Sequence, residues 1–203
     1  LFNRRHFPNP DNAIHATNCQ PITIGMPRQR TDIAHRNLFA DQLAAEGVKE
    51  INLISQDTIN YGVDLGLRHG LVQLLRELVK VETLRWIRPF YLYPQQVTDD
   101  LLDLYAGEEK ITKYIDMPLQ HINDRMLKRM HRLGDRAAIE SLVDRIRTRI
   151  PTVTFRTAFI VGFTGETDAA YTELRDYVER AELDRVAVFL YSDEEGTGSV
   201  GLD

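Results

Sequence analysis

The feature that most constrains this chain is an alternation, sustained from residue 32 to near its end, of short apolar runs with longer segments of helical spacing. Residues 49–55 (KEINLIS), 85–93, 114–118, 152–161 and 185–191 read as strands. Pro89 falls inside the second of these, which places it at a bulge or near the strand's end. Between them lie six helical patterns. The first carries Ile33, Phe39, Leu43 and Ala44 on one stripe and ends at Gly47, as a left-handed cap would end it. Residues 71–81 and 99–108 follow. Asn123 caps a helix with Met126, Leu127 and Met130 turned inward, 135–149 forms another, and Thr167 caps the last.

Strands separated by helices pair in parallel through right-handed crossovers, which makes the chain α/β. Five strands are readable, with room for a sixth in the first dozen residues. The first 30 residues, rich in Pro, Asn and Arg, read as irregular. That count suits a partial (β/α) barrel or an open doubly wound sheet. In both, chemistry gathers where strands end and the next helices begin.

Charge narrows the function classes. The net charge of −5 comes from 25 basic and 30 acidic residues that are interspersed, so no basic stripe marks a nucleic-acid groove. Neither a membrane-length apolar run nor a signal-peptide pattern is present, and the expected setting is cytoplasmic. A single cysteine, Cys19, excludes an internal disulfide.

Polar residues accumulate at the strand ends. Gln56 and Asp57 follow the first clear strand; they read either as ligand groups or as caps of the next helix. Gln120 and His121 follow the third, where the histidine is either functional or a satisfied core residue. Gly162, Gly165 and Glu166 follow the fourth, forming a tight turn into a helix or a place where a ligand meets the backbone. Arg156 lies within an apolar strand and needs an acidic partner or a ligand carboxylate, because an unpaired buried guanidinium is prohibitively costly.

Taken in order, these segments resemble a known family. EGVKE (46–50), ISQDT (54–58), YLYP (91–94), IDMPLQH (115–121), DRMLKRM (124–130), RTAFIVGF (156–163) with GET (165–167), and FLYS (189–192) with EEGT (194–197) are similar to the radical S-adenosylmethionine (radical SAM) methylthiotransferases. Within that family, LYP, QH and EEGT resemble the branch that modifies an aspartate of ribosomal protein S12. The resemblance implies a partial (β/α)6 TIM-like barrel over residues 31–203, with 1–30 a degenerate first strand and cluster loop. It implies S-adenosylmethionine and a [4Fe–4S] cluster as cofactors and protein S12 as partner, without membrane or direct nucleic-acid binding. The family's amino-terminal methylthiotransferase domain and carboxy-terminal TRAM-like domain are expected outside these residues. Gln56, Asp57, Gln120, His121, Arg156, Gly162 and Glu166 are the implied cofactor-binding residues, and no catalytic side chain is assigned.

One departure stands out. The family's cluster is held by Cys-x-x-x-Cys-x-x-Cys, and counting back from Ile33 puts the third cysteine at Cys19. The other two positions hold Asn12 and Ala16. Three thiolates hold three irons and leave the fourth open for the cofactor, so Cys19 is the one candidate ligand left. Two alternatives are carried forward: a non-catalytic relative with the same barrel, and an unrelated barrel enzyme acting on a phosphorylated metabolite. The second lacks a Gly-rich phosphate loop.

Overall fold

The computed structural model describes residues 22–25 and 33–192. The chain divides into two units, Leu1–Ile115 and Asp116–Asp203. In the first, strands β1 (Ile22–Gly25), β2 (Glu50–Ile54) and β3 (Trp86–Pro89) alternate with helices α1 (Ile33–Ala45), α2 (Gly70–Leu78) and α3 (Asp99–Gly107). The strands form a sheet in the order β1-β2-β3, parallel throughout. A further strand is present at Ile22–Gly25, while the first dozen residues, where the sequence left room for one, lie outside the described residues. Its ITIG run was hidden by the turn-rich residues around it.

Local chemistry accounts for the boundaries. Gly47 adopts φ +96° after α1, and Val48 N–H reaches back to Leu43 O at 3.1 Å, the bond of a left-handed helix end. Pro89 is the last residue of β3, where its missing N–H interrupts nothing, and Phe90 N–H resumes the ladder to Leu53 O. In β2, Ile51 and Leu53 are buried while Glu50, Asn52 and Ile54 are half-buried, the period-2 signature of a strand with two unlike faces. The glutamate of that second face receives a 2.7 Å hydrogen bond from Arg88 Nε, and the Arg88 guanidinium stacks 5.0 Å from the Tyr114 ring.

Helix α2 starts under a tight steric constraint. A Cβ on Gly70 would lie 2.1 Å from the carbonyl oxygen of Tyr61, a main-chain atom that cannot swing aside. Gly70→Ala is therefore expected to destabilise the protein by about 1–3 kcal/mol through overpacking. A urea midpoint equal to the parent's would contradict this.

In the second unit, strands β4 (Tyr114–Asp116, whose first two residues precede the boundary), β5 (Thr154–Val161) and β6 (Arg185–Leu190) form a sheet in that order. Helices α4 (Asp124–Arg129), α5 (Arg136–Arg149) and α6 (Asp168–Arg180) connect and follow the strands. Each is N-capped by the side chain expected of its type: Asn123, Asp135 and Thr167 accept from the third residue onward. Phe155, Thr157 and Phe159 of β5 are buried. Phe159 meets Tyr177 of α6 edge-on at 6.4 Å, and burial pushes the Tyr177 phenol up to about 12. The parallel register of β5 with β6 sets Arg156, Ala158 and Ile160 beside Arg185, Ala187 and Phe189.

Candidate functional site

Of the residues singled out from the sequence, Gln56 and Asp57 belong to the first unit and Gln120, His121, Arg156, Gly162 and Glu166 to the second. Cys19 lies outside the described residues.

In the first unit, β2 runs into a polar turn. Asp57 N–H donates to Ser55 Oγ at 3.1 Å, Ser55 N–H to Thr58 Oγ1 at 3.2 Å, and Asn60 Nδ2 to Asp57 Oδ2 at 2.5 Å. Asp57 occupies the cap position of the short 3-10 turn that follows, yet its side chain does not cap it. Its second oxygen, Oδ1, is buried without a donor, while Gln56 is exposed. Thr58 N–H ties the turn to Tyr91 O at 3.3 Å, so the ends of β2 and β3 adjoin.

The second unit contains the denser arrangement. Arg156 meets the acidic partner that its place in an apolar strand demanded: Nη1 lies 2.6 Å from Asp116 Oδ1, and Asp116 is fully buried. Asp116 was missed from the sequence, although an acid within the run YIDMP was the available signal. Its Oδ2 is buried and lacks a donor among the described residues.

Beyond β4 the chain turns sharply. Leu119 N–H donates to the buried Thr157 hydroxyl at 3.1 Å, which accounts for the threonine inside β5. His121 is fully buried, and its Nδ1 accepts from the main-chain N–H groups of Ile122 and Asn123, both at 2.9 Å. Nδ1 therefore carries a lone pair, and Nε2 carries the hydrogen, which it donates to Glu166 Oε1 at 3.0 Å. The other oxygen of Glu166 accepts from Gly162 N–H. This ties the loop after β4 to the loop after β5. His121, Gly162 and Glu166 are brought into direct contact, and the histidine and glutamate side chains are spent on each other and on the backbone.

Two further residues hold this loop. Arg129 Nε donates to Thr164 O at 2.9 Å, and its guanidinium lies under Gly165, where a Cβ would come within 2.9 Å of it. Gly162 (φ +75°) and Gly165 (φ +80°) both take the left-handed conformation that glycine adopts freely. Asn123 caps α4 and donates to Glu173 Oε2 at 2.6 Å; that bond, more than the nearby Arg136, holds the Glu173 carboxyl below the usual range.

The residues after β4 and β5 and the Radical SAM superfamily model coincide: the model matches residues 19–178, and the chain belongs to that superfamily. The class has structural neighbours at low identity. A cobalamin- and [4Fe–4S]-bound radical SAM methyltransferase, TsrM of Kitasatospora setae, superposes with TM-score 0.62 at 17% identity over 79% of this chain and 31% of that one. Escherichia coli coproporphyrinogen III oxidase, HemN, gives 0.56 at 18% identity over 78% and 37%. The fold is thus the α/β, partial TIM-like barrel of the radical SAM proteins.

More similar in sequence are proteins named ribosomal protein uS12 methylthiotransferase RimO. That of Sorangium cellulosum is 52% identical over 169 residues, 80% of this chain and 35% of the relative. That of Syntrophotalea carbinolica is 48% identical over 176 residues, 87% and 39%. The chain spans little more than a third of the length of these relatives.

The superfamily implies S-adenosylmethionine and a [4Fe–4S] cluster. For the first, the second unit offers fitting groups: Asp116 Oδ2, without a donor among the described residues, the Arg156 guanidinium, and the carboxamide of Gln120, which makes no hydrogen bond among the described residues. For the second, the donor set does not fit. The chain has one cysteine where three thiolates are required, and among the described residues no three His, Cys, Asp or Glu side chains converge as a metal cage.

Proposed function

We propose that this chain is the barrel core of a radical SAM methylthiotransferase acting on an aspartate of ribosomal protein uS12. The observation that carries this is its 52% identity to a protein of that name over four-fifths of its own length. In this reading residues 31–203 form the core, residues 1–30 hold β1 and the remnant of the cluster loop, and the flanking domains of the longer relatives lie outside these residues. The setting is the cytoplasm, where uS12 is made; no helix among the described residues is long and apolar enough to cross a membrane. The identity disfavours a non-catalytic relative as the origin of this barrel.

S-adenosylmethionine, when bound, would supply the methyl group and the radical that abstracts hydrogen, while the sulfur of the methylthio group would come from a separate sulfide-level donor. The chain's own residues bind and orient. Asp116 Oδ2 takes a donor from the ligand, since a buried carboxylate oxygen without one is costly. Arg156 sits beside it with its charge fixed by Asp116. Gly162 lets a ligand approach the main chain, and the His121–Glu166 bond holds that loop in place. Gln56 and Asp57 supply polar groups after β2.

With one thiolate in the chain, anaerobic reconstitution with iron and sulfide is expected to leave well under one cluster per molecule, without cleavage of S-adenosylmethionine. Asn12→Cys with Ala16→Cys is expected to raise iron and sulfide content and give the broad visible absorbance of a cluster. Mass spectrometry of uS12 incubated with that variant, S-adenosylmethionine, added sulfide as the sulfur source and reductant then tests the reaction. A cluster-loaded variant that neither binds S-adenosylmethionine nor modifies uS12 refutes the proposed function. Four irons in the unsubstituted chain would show that its ligands have been miscounted.

A further inference from the structure

In the first unit, the turns after β2 and β3 and the amino ends of α2 and α3 border a cavity of about 250 Å3. Its wall is apolar: Ile59, Leu71, Val72 and Leu101 line it, each at most 8% exposed. Val63, 61% exposed, and the exposed Gln96 belong to the part of the lining that meets solvent. The Gln96 carboxamide makes no hydrogen bond among the described residues. Neither Gln56 nor Asp57 lines the cavity.

A concave apolar lining with few polar groups favours an apolar guest, because water wets it poorly. The volume falls below the ~300–1,000 Å3 of sites that take a whole small ligand, so the cavity suits one side chain rather than a cofactor. The Gln96 carboxamide can exchange hydrogen bonds with the main chain from which such a side chain projects. Charge selects the kind of chain. Residues 57–72 and 96–101, which build the cavity, contain four acidic residues (Asp57, Asp64, Asp99 and Asp100) against one arginine, Arg68, and one histidine, His69. Asp64 and Asp100 are exposed, and each adjoins a lining residue in sequence, Val63 and Leu101. A protein that resides on ribosomal RNA carries Lys and Arg to neutralise phosphates, so its segments complement such a rim. Tyr91, 40% exposed at the end of β3, adds aromatic surface of the kind enriched in protein interfaces, and its carbonyl accepts from Thr58 N–H, next in sequence to Ile59.

We propose that this cavity is the docking pocket for an apolar side chain of ribosomal protein uS12, whose neighbouring basic residues meet Asp64 and Asp100. The inference rests on the proposed function for the identity of the partner. It assigns selection of the protein substrate to residues other than those that hold the cofactor.

Two variants test the pocket, by titration of fluorescently labelled uS12 with the full chain. Val72→Phe enlarges a side chain in the cavity wall and fills part of the space. Asp64→Asn with Asp100→Asn removes two exposed charges and leaves the core untouched, which keeps the test decisive if the phenyl ring is not accommodated. Val72→Phe is expected to weaken uS12 binding about tenfold, the worth of one buried apolar side chain. The asparagine double variant is expected to weaken it by about three- to tenfold at low salt, with the difference fading above about 0.5 M salt. Equilibrium dialysis is expected to show the parent's affinity for S-adenosylmethionine in both. Parental affinity for uS12 in the double variant, or in a folded Val72→Phe, would overturn the docking pocket and leave the proposed function standing. Weakened binding of S-adenosylmethionine in either would place the cavity in the cofactor site and overturn the pocket as well. A parent chain that binds no uS12 would also overturn it, whereas modification of uS12 by the cysteine-restored variant decides the proposed function separately.

Discussion

Replacing Arg156 with methionine is expected to destabilise the protein by about 3–5 kcal/mol, because it strands a fully buried carboxylate. Asp116 has Arg156 on one oxygen and no donor on the other, so loss of the guanidinium leaves it without a partner among the described residues. Adding Asp116→Leu to Arg156→Met is expected to restore most of the loss, since the penalty belongs to the unpaired charge and not to the missing attraction. Chemical denaturation of both variants measures this, and a double variant as unstable as the single would contradict it. The same reasoning bears on binding experiments. Arg156→Ala conflates a ligand contact with a broken interior, whereas Arg156→Lys keeps a charge beside Asp116 and gives up only the planar fork.

The second large effect is at the bond between the two loops. His121→Ala removes the acceptor of two main-chain N–H groups and the donor to Glu166, and it opens a cavity at a fully buried position. A loss of about 3–5 kcal/mol is expected from these together. Glu166→Gln is the more discriminating change. The carboxylate accepts at both oxygens, from His121 Nε2–H and from Gly162 N–H. A carboxamide accepts at one end only and turns its NH2 against whichever donor remains. The glutamine variant is therefore expected to be destabilised by about 1–3 kcal/mol despite being isosteric. Urea midpoints decide, and a glutamine variant as stable as the parent would show that the carboxylate does not serve both donors.

Most of the architecture was legible because helix and strand periods differ and the capping residues stand where helices begin. Asn123, Asp135 and Thr167 each precede a helix by one residue. The exception was β1, four residues long and set among turn-forming residues, where neither period has room to show. The parallel pairing followed from the alternation of strands and helices.

The site was legible by position and less so by duty. Arg156 announced that it needed a partner, but only coordinates could choose between a ligand and Asp116, forty residues away in sequence. For His121 and Glu166 the sequence left ligand and structural duties open, and the two residues are engaged with each other across 45 residues. Gln120 was marked by resemblance, yet nothing in its identity announces its positive φ of 71°; in sequence that conformation is signalled by glycine or asparagine. The missing thiolates were plain from sequence alone, since ligand count is a matter of composition.

The hydrogen-bond pattern of His121 also determines how it reacts. Acylating reagents and transition-metal ions attack imidazole through an exposed ring lone pair. In His121 that lone pair, on Nδ1, is covered by the Ile122 and Asn123 amides, and the opposite nitrogen presents a hydrogen to Glu166. The ring is thereby withdrawn from solution chemistry as long as the two loops stay joined. Its modification would track their local opening and so report on a link of three hydrogen-bonding groups, His121, Glu166 and the Gly162 amide, between neighbouring strand ends.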